Sequence, residues 1–249
     1  MAISDEIKEQ TVKLKDMTSK EKADYIWTYY KWWILGAVAI IFICISLAKT
    51  IAQNSKPTYL DVMLLNAKES GYMVECPIQD EFVNEYNIDL KGNNIYFDLV
   101  TTLTDDYGNQ AAYAGQVKLI SKYSAEELDV VCAEESILSG PGDVGGYAKL
   151  MEVLPEDLIK ELQDKGYEFY YYTEKIYDED YVPDKDEETP YTEGETYAAG
   201  IYIENCKKLV GNQESCVYNE NPDDRHVLAI AWNAPNLDHA IEFIRFVTK

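Results

Sequence analysis

Residues 32–48 read WWILGAVAIIFICISLA, seventeen positions without a charge. As a helix this run is about 25 Å long, and residues 49–52 extend it to about 30 Å, the hydrocarbon thickness of a bilayer. Lys49 can carry its ammonium back to the head groups along its own stem. The run predicts one membrane-crossing helix over residues 32–52 and thereby divides the chain. A cytoplasmic and interfacial segment, 1–31, precedes it; a linker, 53–58, and a large domain, 59–249, follow.

The competing reading of such a run is a cleaved signal peptide. Its basic leader is normally a few residues long, whereas 31 residues stand before this one. Ser46-Leu47-Ala48 fits a small-x-small cleavage site poorly, and Ile41, Phe42 and Ile43 before Cys44 do not resemble a lipidation signal. An uncleaved anchor is therefore expected. Lys13, Lys15, Lys20, Lys22 and Lys31 flank the run on one side, and Lys49, Lys56 and Lys68 on the other. Positive-inside bias then predicts a cytoplasmic N-terminus and an extracellular C-terminal domain. Tyr25, Trp27, Tyr29, Tyr30, Trp32 and Trp33 form an aromatic belt suited to the head-group layer. Thr18 and Glu21 have the spacing of a capping box that starts the helix.

The chain carries 22 Lys and Arg against 45 Asp and Glu. Residues 53–249 hold 15 of the bases and 39 of the acids, a formal charge of −24. Such a domain repels nucleic acid, whose binding requires basic side chains on phosphate. Solubility outside a cell is the leading reading of that charge, and attraction of cations or basic partners is the alternative. At 197 residues the part after the run can bury a sizeable core as one domain. Cys76, Cys132, Cys206 and Cys216 lie in it, an even number that allows three pairings. The leading disulfide candidate is Cys206 with Cys216, a loop of about ten residues worth roughly 3 kcal/mol on chain-entropy grounds. Buried free thiols are the alternative, and Cys132 within an apolar strand suits it. No C-x-x-C is present, so no zinc ribbon or thioredoxin-like site is expected.

Beyond the linker, residues 59–64, 94–102 and 128–133 read as strands, separated by helices over 80–86 and 111–122. This alternation predicts an α/β domain with a mostly parallel sheet flanked by helices. Pro155 fits the first position of a further helix, with Glu156 and Asp157 at the favourable end of its dipole and Gly166 as its C′ residue. Strands follow at 168–175, 197–203 and 226–232, with an acidic loop at 177–196 between the first two. Asn236 is placed to cap a last helix whose apolar stripe is Leu237, Ala240, Ile241, Ile244 and Val247.

Few residues suggest chemistry. Gly140-Pro-Gly-Asp-Val-Gly145 matches G-x-G-x-x-G, but six residues separate it from the preceding strand and Pro141 stiffens it; an ordinary loop explains it. Asp184, Asp186, Glu188 and Glu195 stand at positions 1, 3, 5 and 12 of a calcium-loop spacing, with Thr189 where the loop needs Gly. They are a calcium candidate set against the reading of a solvated acidic loop. His226 and His239 are the only histidines, neither at metal-ligand spacing. No nucleophile–base–orienter set assembles, so no enzyme and no cofactor are expected.

Three stretches carry a resemblance. LDVVCAEESILSGPGDVGGYAKLMEVLP, with Asp129-Val130-Val131 and Leu150 to Leu154, resembles a segment of type II periplasmic (extracellular) solute-binding proteins. HVLAIAWNAPNLDHAIEFIRFVTK, with Ala240 and Phe243, is similar to their return strand and following helix. YIWTYYKWWILG with YLDVMLLNA looks like an uncharacterised group of membrane-anchored proteins of Gram-positive bacteria. The resemblance implies a reduced periplasmic-binding-protein-like lobe on a single-pass anchor. It implies a noncatalytic extracytoplasmic binding protein, associated with an ABC-type transporter. Solute-binding proteins close two lobes on a ligand, and 197 residues hold one, so no ligand residues carry over. The alternative is a cell-envelope protein that docks another protein and takes no small molecule. A pocket at the carboxyl ends of the strands favours the first reading; a flat exposed apolar patch favours the second.

Overall fold

The computed structural model describes residues 18–68, 77–104, 109–177, 190–211, 216–220 and 223–249. It contains two compact units, Met1–Lys56 and Pro57–Lys249. In the first, helix α1 runs Ser19–Asn54, and Tyr30–Ala52 within it is a candidate membrane span by length and composition, with a mean hydropathy of 2.4. Its apolar side chains are exposed, Trp32 at 76% and Phe42 at 69%. Such a surface would fit contact with lipid. At its start, Glu21 Oε2 accepts from both the backbone N–H and the hydroxyl of Thr18, each at 2.8 Å, which is the acidic half of the expected capping box. The Thr18 N–H holds the Glu21 carboxyl below its ordinary pKa.

The second unit is a six-stranded sheet with helices against it. Strand β1 is Thr58–Leu64, helix α2 Pro77–Tyr86, strand β2 Asn94–Asp98, helix α3 Gln110–Ser124 and strand β3 Val130–Glu134. Short helices α4, Glu135–Ser139, and α5, Leu150–Val153, lead to helix α6, Glu156–Asp164. Strands β4, Phe169–Tyr177, β5, Tyr191–Tyr202, and β6, His226–Ile230, precede the last helix α7, Leu237–Val247. The strand order is β2-β1-β3-β6-β5-β4.

Alternation along each strand builds a core on each face of the sheet. Leu60, Val62 and Leu64 join Val130, Cys132, Leu228, Ile230 and Ile201 on one face. Met63, Val131, Ala133, Val227, Ala229 and Ala199 lie on the other. Helices α2, α6 and α7 cover the first face through Phe82, Leu158, Leu162, Phe243 and Phe246. Helices α3 and α4 cover the second through Leu119, Tyr123, Ile137 and Leu138. Where β5 meets β6, a Cβ on Gly200 would stand 2.6 Å from Val227 Cγ1 and 2.9 Å from Leu228 O, so only glycine allows that approach.

The sheet corrects one expectation. Strand β1 is parallel to β2 and to β3, as the intervening helices predict. The other three pairings, β3–β6, β6–β5 and β5–β4, are antiparallel, so the sheet is mostly antiparallel and not mostly parallel. A parallel connection needs a crossover long enough to traverse the sheet, usually a helix. Strands β4 and β5 pair antiparallel out to Tyr177 with Tyr191, and Thr192 and Glu193 already lie in β5. The expected loop 177–196 therefore shrinks at both ends, and residues 178–189 lie outside the described residues.

Boundaries shift for identifiable reasons. Strand β2 stops at Asp98 because that carboxylate accepts from the backbone of Val100 and Thr101 and from the Thr101 hydroxyl, closing a local turn. Pro155 stands at the N-cap of α6, one place before the helix, while Gly166 takes the expected C′ position with φ +77°. Asn236 is at the N-cap of α7, but its side chain makes no cap bond; it turns to Asp129. In α7 the buried face is Ala240, Phe243, Ile244, Phe246 and Val247, with Leu237 and Ile241 half-buried at its border.

Candidate functional site

Two clusters of functional side chains lie at opposite ends of the strands. Each is built by segments far apart in the chain.

The carboxyl ends of β1 and β3 hold Asn66 and Glu134. The connection after β1 leads to α2 on one face, and that after β3 to α4 on the other. In open α/β sheets a crevice forms at such a divergence. Here the protein's own side chains occupy it. Asn66 donates to Glu134 Oε2 at 3.2 Å and accepts from the Leu103 N–H at 2.8 Å. His226, at the start of antiparallel β6, brings Nε2 to 3.8 Å from Glu134 Oε1 and packs on Tyr218 with ring centroids 4.3 Å apart. Tyr218 in turn donates to Cys132 O at 2.9 Å. Burial lowers the His226 pKa below its ordinary value and outweighs the pull of the Glu134, Glu204 and Asp224 carboxylates in the other direction. The group is a satisfied, closed network.

An open pocket of about 380 Å³ lies at the other end, beyond the last residue of β6 and the amino end of β3. Gly146, Lys149, Glu152, Glu174, Tyr197 and Trp232 line it. Its rear wall is cross-linked by hydrogen bonds. Tyr197 reaches from β5 and donates to Tyr147 O at 3.0 Å while accepting from the Tyr147 N–H at 3.3 Å. The Tyr123 hydroxyl, from α3, donates to Gly146 O. Gly146 has φ +142°, and a Cβ there would sit 3.6 Å from the Tyr197 hydroxyl, so glycine lets the backbone turn into the pocket beside the ring. Trp232 forms the outer wall with 63% of its surface exposed.

Lys149 and three carboxylates set the charge of the pocket. The Lys149 ammonium is 2.5 Å from Glu195 Oε2 and 5.3 Å over the Tyr197 ring. The Glu195 hydrogen bond, then the charges of Glu195, Glu152 and Glu174, raise its pKa above the ordinary lysine value. Burial is the first cause of the raised Tyr197 pKa. The lining therefore combines an indole, a phenol ring, carboxylates, glycine backbone and the apolar side chains of Ala148 and Val153.

The residues singled out in the sequence fall elsewhere. Asp184, Asp186 and Glu188 lie outside the described residues. Glu195, their fourth member, is on β5 and pairs with Lys149. Among the described residues no group of three or more His, Cys, Asp or Glu is placed to hold a metal. Cys206 and Cys216 are both buried, and each carries a free thiol here. Cys206 Sγ donates to Val247 O at 2.7 Å and Cys216 Sγ to Lys207 O at 3.5 Å. They are close enough that charge on Cys216 acts on Cys206, whose pKa burial pushes up to about 11. Cys76 lies outside the described residues.

The G-x-G-x-x-G stretch is a structural loop, and no helix opens at its third glycine. Asp143 within it accepts from the Gly145 N–H at 3.1 Å and the Tyr172 hydroxyl at 3.0 Å, and pairs with Lys175 at 2.7 Å. It therefore staples the loop to β4 and fixes one side of the pocket. No family model, curated protein or solved structure matches this chain.

Proposed function

We propose that this chain is a single-pass membrane protein, with its N-terminus in the cytoplasm, that displays a noncatalytic binding domain outside the cell. The observation that carries this reading is the Trp232 pocket. An exposed indole costs solubility, yet here it faces a glycine-backed recess of about 380 Å³ whose other walls combine the apolar Ala148 and Val153 with Lys149, Glu152 and Glu174. That size falls within the range of small-molecule sites. The candidate span at Tyr30–Ala52 supplies the anchor, and the lysine bias around it supports the orientation. A role beside an ABC-type transporter rests on the solute-binding resemblance alone. The pocket lies at the end of the sheet opposite the carboxyl ends of the parallel strands β1 and β3, so it lends that resemblance no weight.

A second reading has its own observation. On α3, Tyr113, Val117 and Ile120 are exposed at 66%, 46% and 47%, in an i, i+4, i+7 stripe. A stripe of this kind suits docking of another envelope protein. A thermal-shift screen of the detergent-purified chain against amino acids, peptides, sugars, amines and anions tests the choice. A ligand that raises the melting temperature of the parent but not of Trp232→Leu supports small-molecule binding. No shift from any class leaves docking as the function.

A further inference from the structure

We infer that the Trp232 pocket takes an organic ammonium group, either a free alkylammonium or the ammonium of a lysine side chain on a peptide. The inference rests on the binding reading above and names its ligand class.

The first support is an ammonium already placed at this wall. Lys149 lies over the Tyr197 ring at 5.3 Å and against Glu195 at 2.5 Å. The chain itself thus satisfies a cation with one aromatic face and one carboxylate. Trp232 and the pocket-lining Glu152 and Glu174 supply the same pair of elements a second time. Indole is the best aromatic partner for a cation, and choline and methyl-lysine sites are built from such faces. The second support is the charge count. Glu152, Glu174 and Glu195 oppose one ammonium, so the pocket's ring of charges is short of two positive charges. A carboxylate or phosphate ligand would enter against that excess. The third is the field of the domain. A formal charge of −24 over residues 53–249 raises the local concentration of cations and repels anions.

The test uses the full-length chain in dodecyl maltoside, whose head group bears no ammonium. Calorimetric titration with choline and with Nα-acetyl-lysine amide is compared with dimethylbutanol, the neutral carbon isostere of choline. At least one cation binds, and the isostere does not. Choline binding identifies a free alkylammonium site; binding of the lysine amide alone identifies a peptide side chain. Trp232→Leu, at an exposed position, weakens the interaction about three- to thirtyfold. Glu174→Gln weakens it and steepens nothing else in the melting curve. Lys149→Gln removes a competing charge and tightens binding about two- to fivefold.

Equal binding of the isostere, or weaker cation binding by Lys149→Gln, overturns the assignment. If neither cation binds, but an anion or sugar shifts the parent and not Trp232→Leu, the ammonium inference falls and the binding reading stands. If no class of ligand depends on Trp232, both fall. Trp232 is the only tryptophan outside residues 27–33. Its fluorescence in a Trp27→Phe, Trp32→Phe, Trp33→Phe background reports occupancy independently of heat.

Discussion

Asp129 receives the Asn236 backbone N–H at 2.8 Å and the Asn236 amide at 3.1 Å, tying the strand β3 entrance to the first turn of α7. The same carboxylate accepts from the Asp61 N–H at 2.8 Å. Asp129 is fully buried, and that burial raises its pKa despite these three donors. Asp129→Ala strands the buried Asp61 N–H and the part-buried Asn236 N–H and should cost about 1–4 kcal/mol, since a fully buried unsatisfied donor costs about 1–3 kcal/mol. Denaturant unfolding measures this. A loss below about 0.5 kcal/mol would show that water replaces the carboxylate.

His226 should make stability depend on pH. Its pKa in the fold lies below the ordinary value of 6.5 because the ring is buried. The unfolded chain therefore binds a proton first. Stability is fully present above pH 6.5 and declines as the pH falls through the window between 6.5 and the lower folded value. His226→Gln should flatten that part of the curve. Melting temperatures of both proteins between pH 5 and 8 check it; parallel curves would refute the assignment to His226.

Phe243 tests whether α7 closes the first core. Its ring is fully buried and meets Phe82 and Phe97 edge to face, with centroids 5.5 Å away in each case. Phe243→Ala should cost about 3–5 kcal/mol, the transfer of the ring plus the cavity it leaves. Ile241→Asp, at the half-buried border, should cost less because its carboxylate can reach water. The reverse order would place the buried face differently.

Export would set Cys206 and Cys216 in an oxidising compartment. Both thiols are buried and neighbouring, and a bridge between them requires Cys206 Sγ to leave Val247 O. Mass spectrometry of unreduced peptides from membranes should recover residues 206 and 216 cross-linked. Two alkylatable thiols under denaturing conditions would instead identify them as permanent core cysteines.

Orientation has a direct readout. Protease added to intact cells should remove the domain after about residue 57 and spare an N-terminal tag, as the lysine bias around the apolar run requires. A digested tag would place the domain in the cytoplasm.

Much of this arrangement is legible in the sequence because its physics is local. Leu60, Val62 and Leu64 alternate with Asp61 and Met63, and the helices before β2 and β3 fix a parallel direction. Alternation carries no direction by itself. Nothing within residues 226–230 says that this strand lies between β3 and β5, antiparallel to both. The pocket was hidden for a related reason. Gly146, Lys149, Glu174, Tyr197 and Trp232 come from four segments that only the assembled sheet brings together, and Trp232 alone reads as the last residue of a strand. Its isolation as the one tryptophan outside residues 27–33 is the signal that could have marked it. Asn236 shows the converse: its place before α7 is legible, but its preference for Asp129 over the helix N–H groups depends on a residue 107 positions away.

The place of β6 orders the birth of the domain. The strands on either side of it end at residues 134 and 202, whereas it begins at residue 226. A chain emerging from the ribosome therefore holds two incomplete half-sheets, each with a bare edge, until residues 226–230 have been made. The strand that joins the two halves and the helix that packs beside it are close neighbours in the chain, so both become available for assembly at nearly the same point of synthesis. A premature stop anywhere before residue 226 removes both, and leaves two sticky edges where the finished protein has a continuous interior.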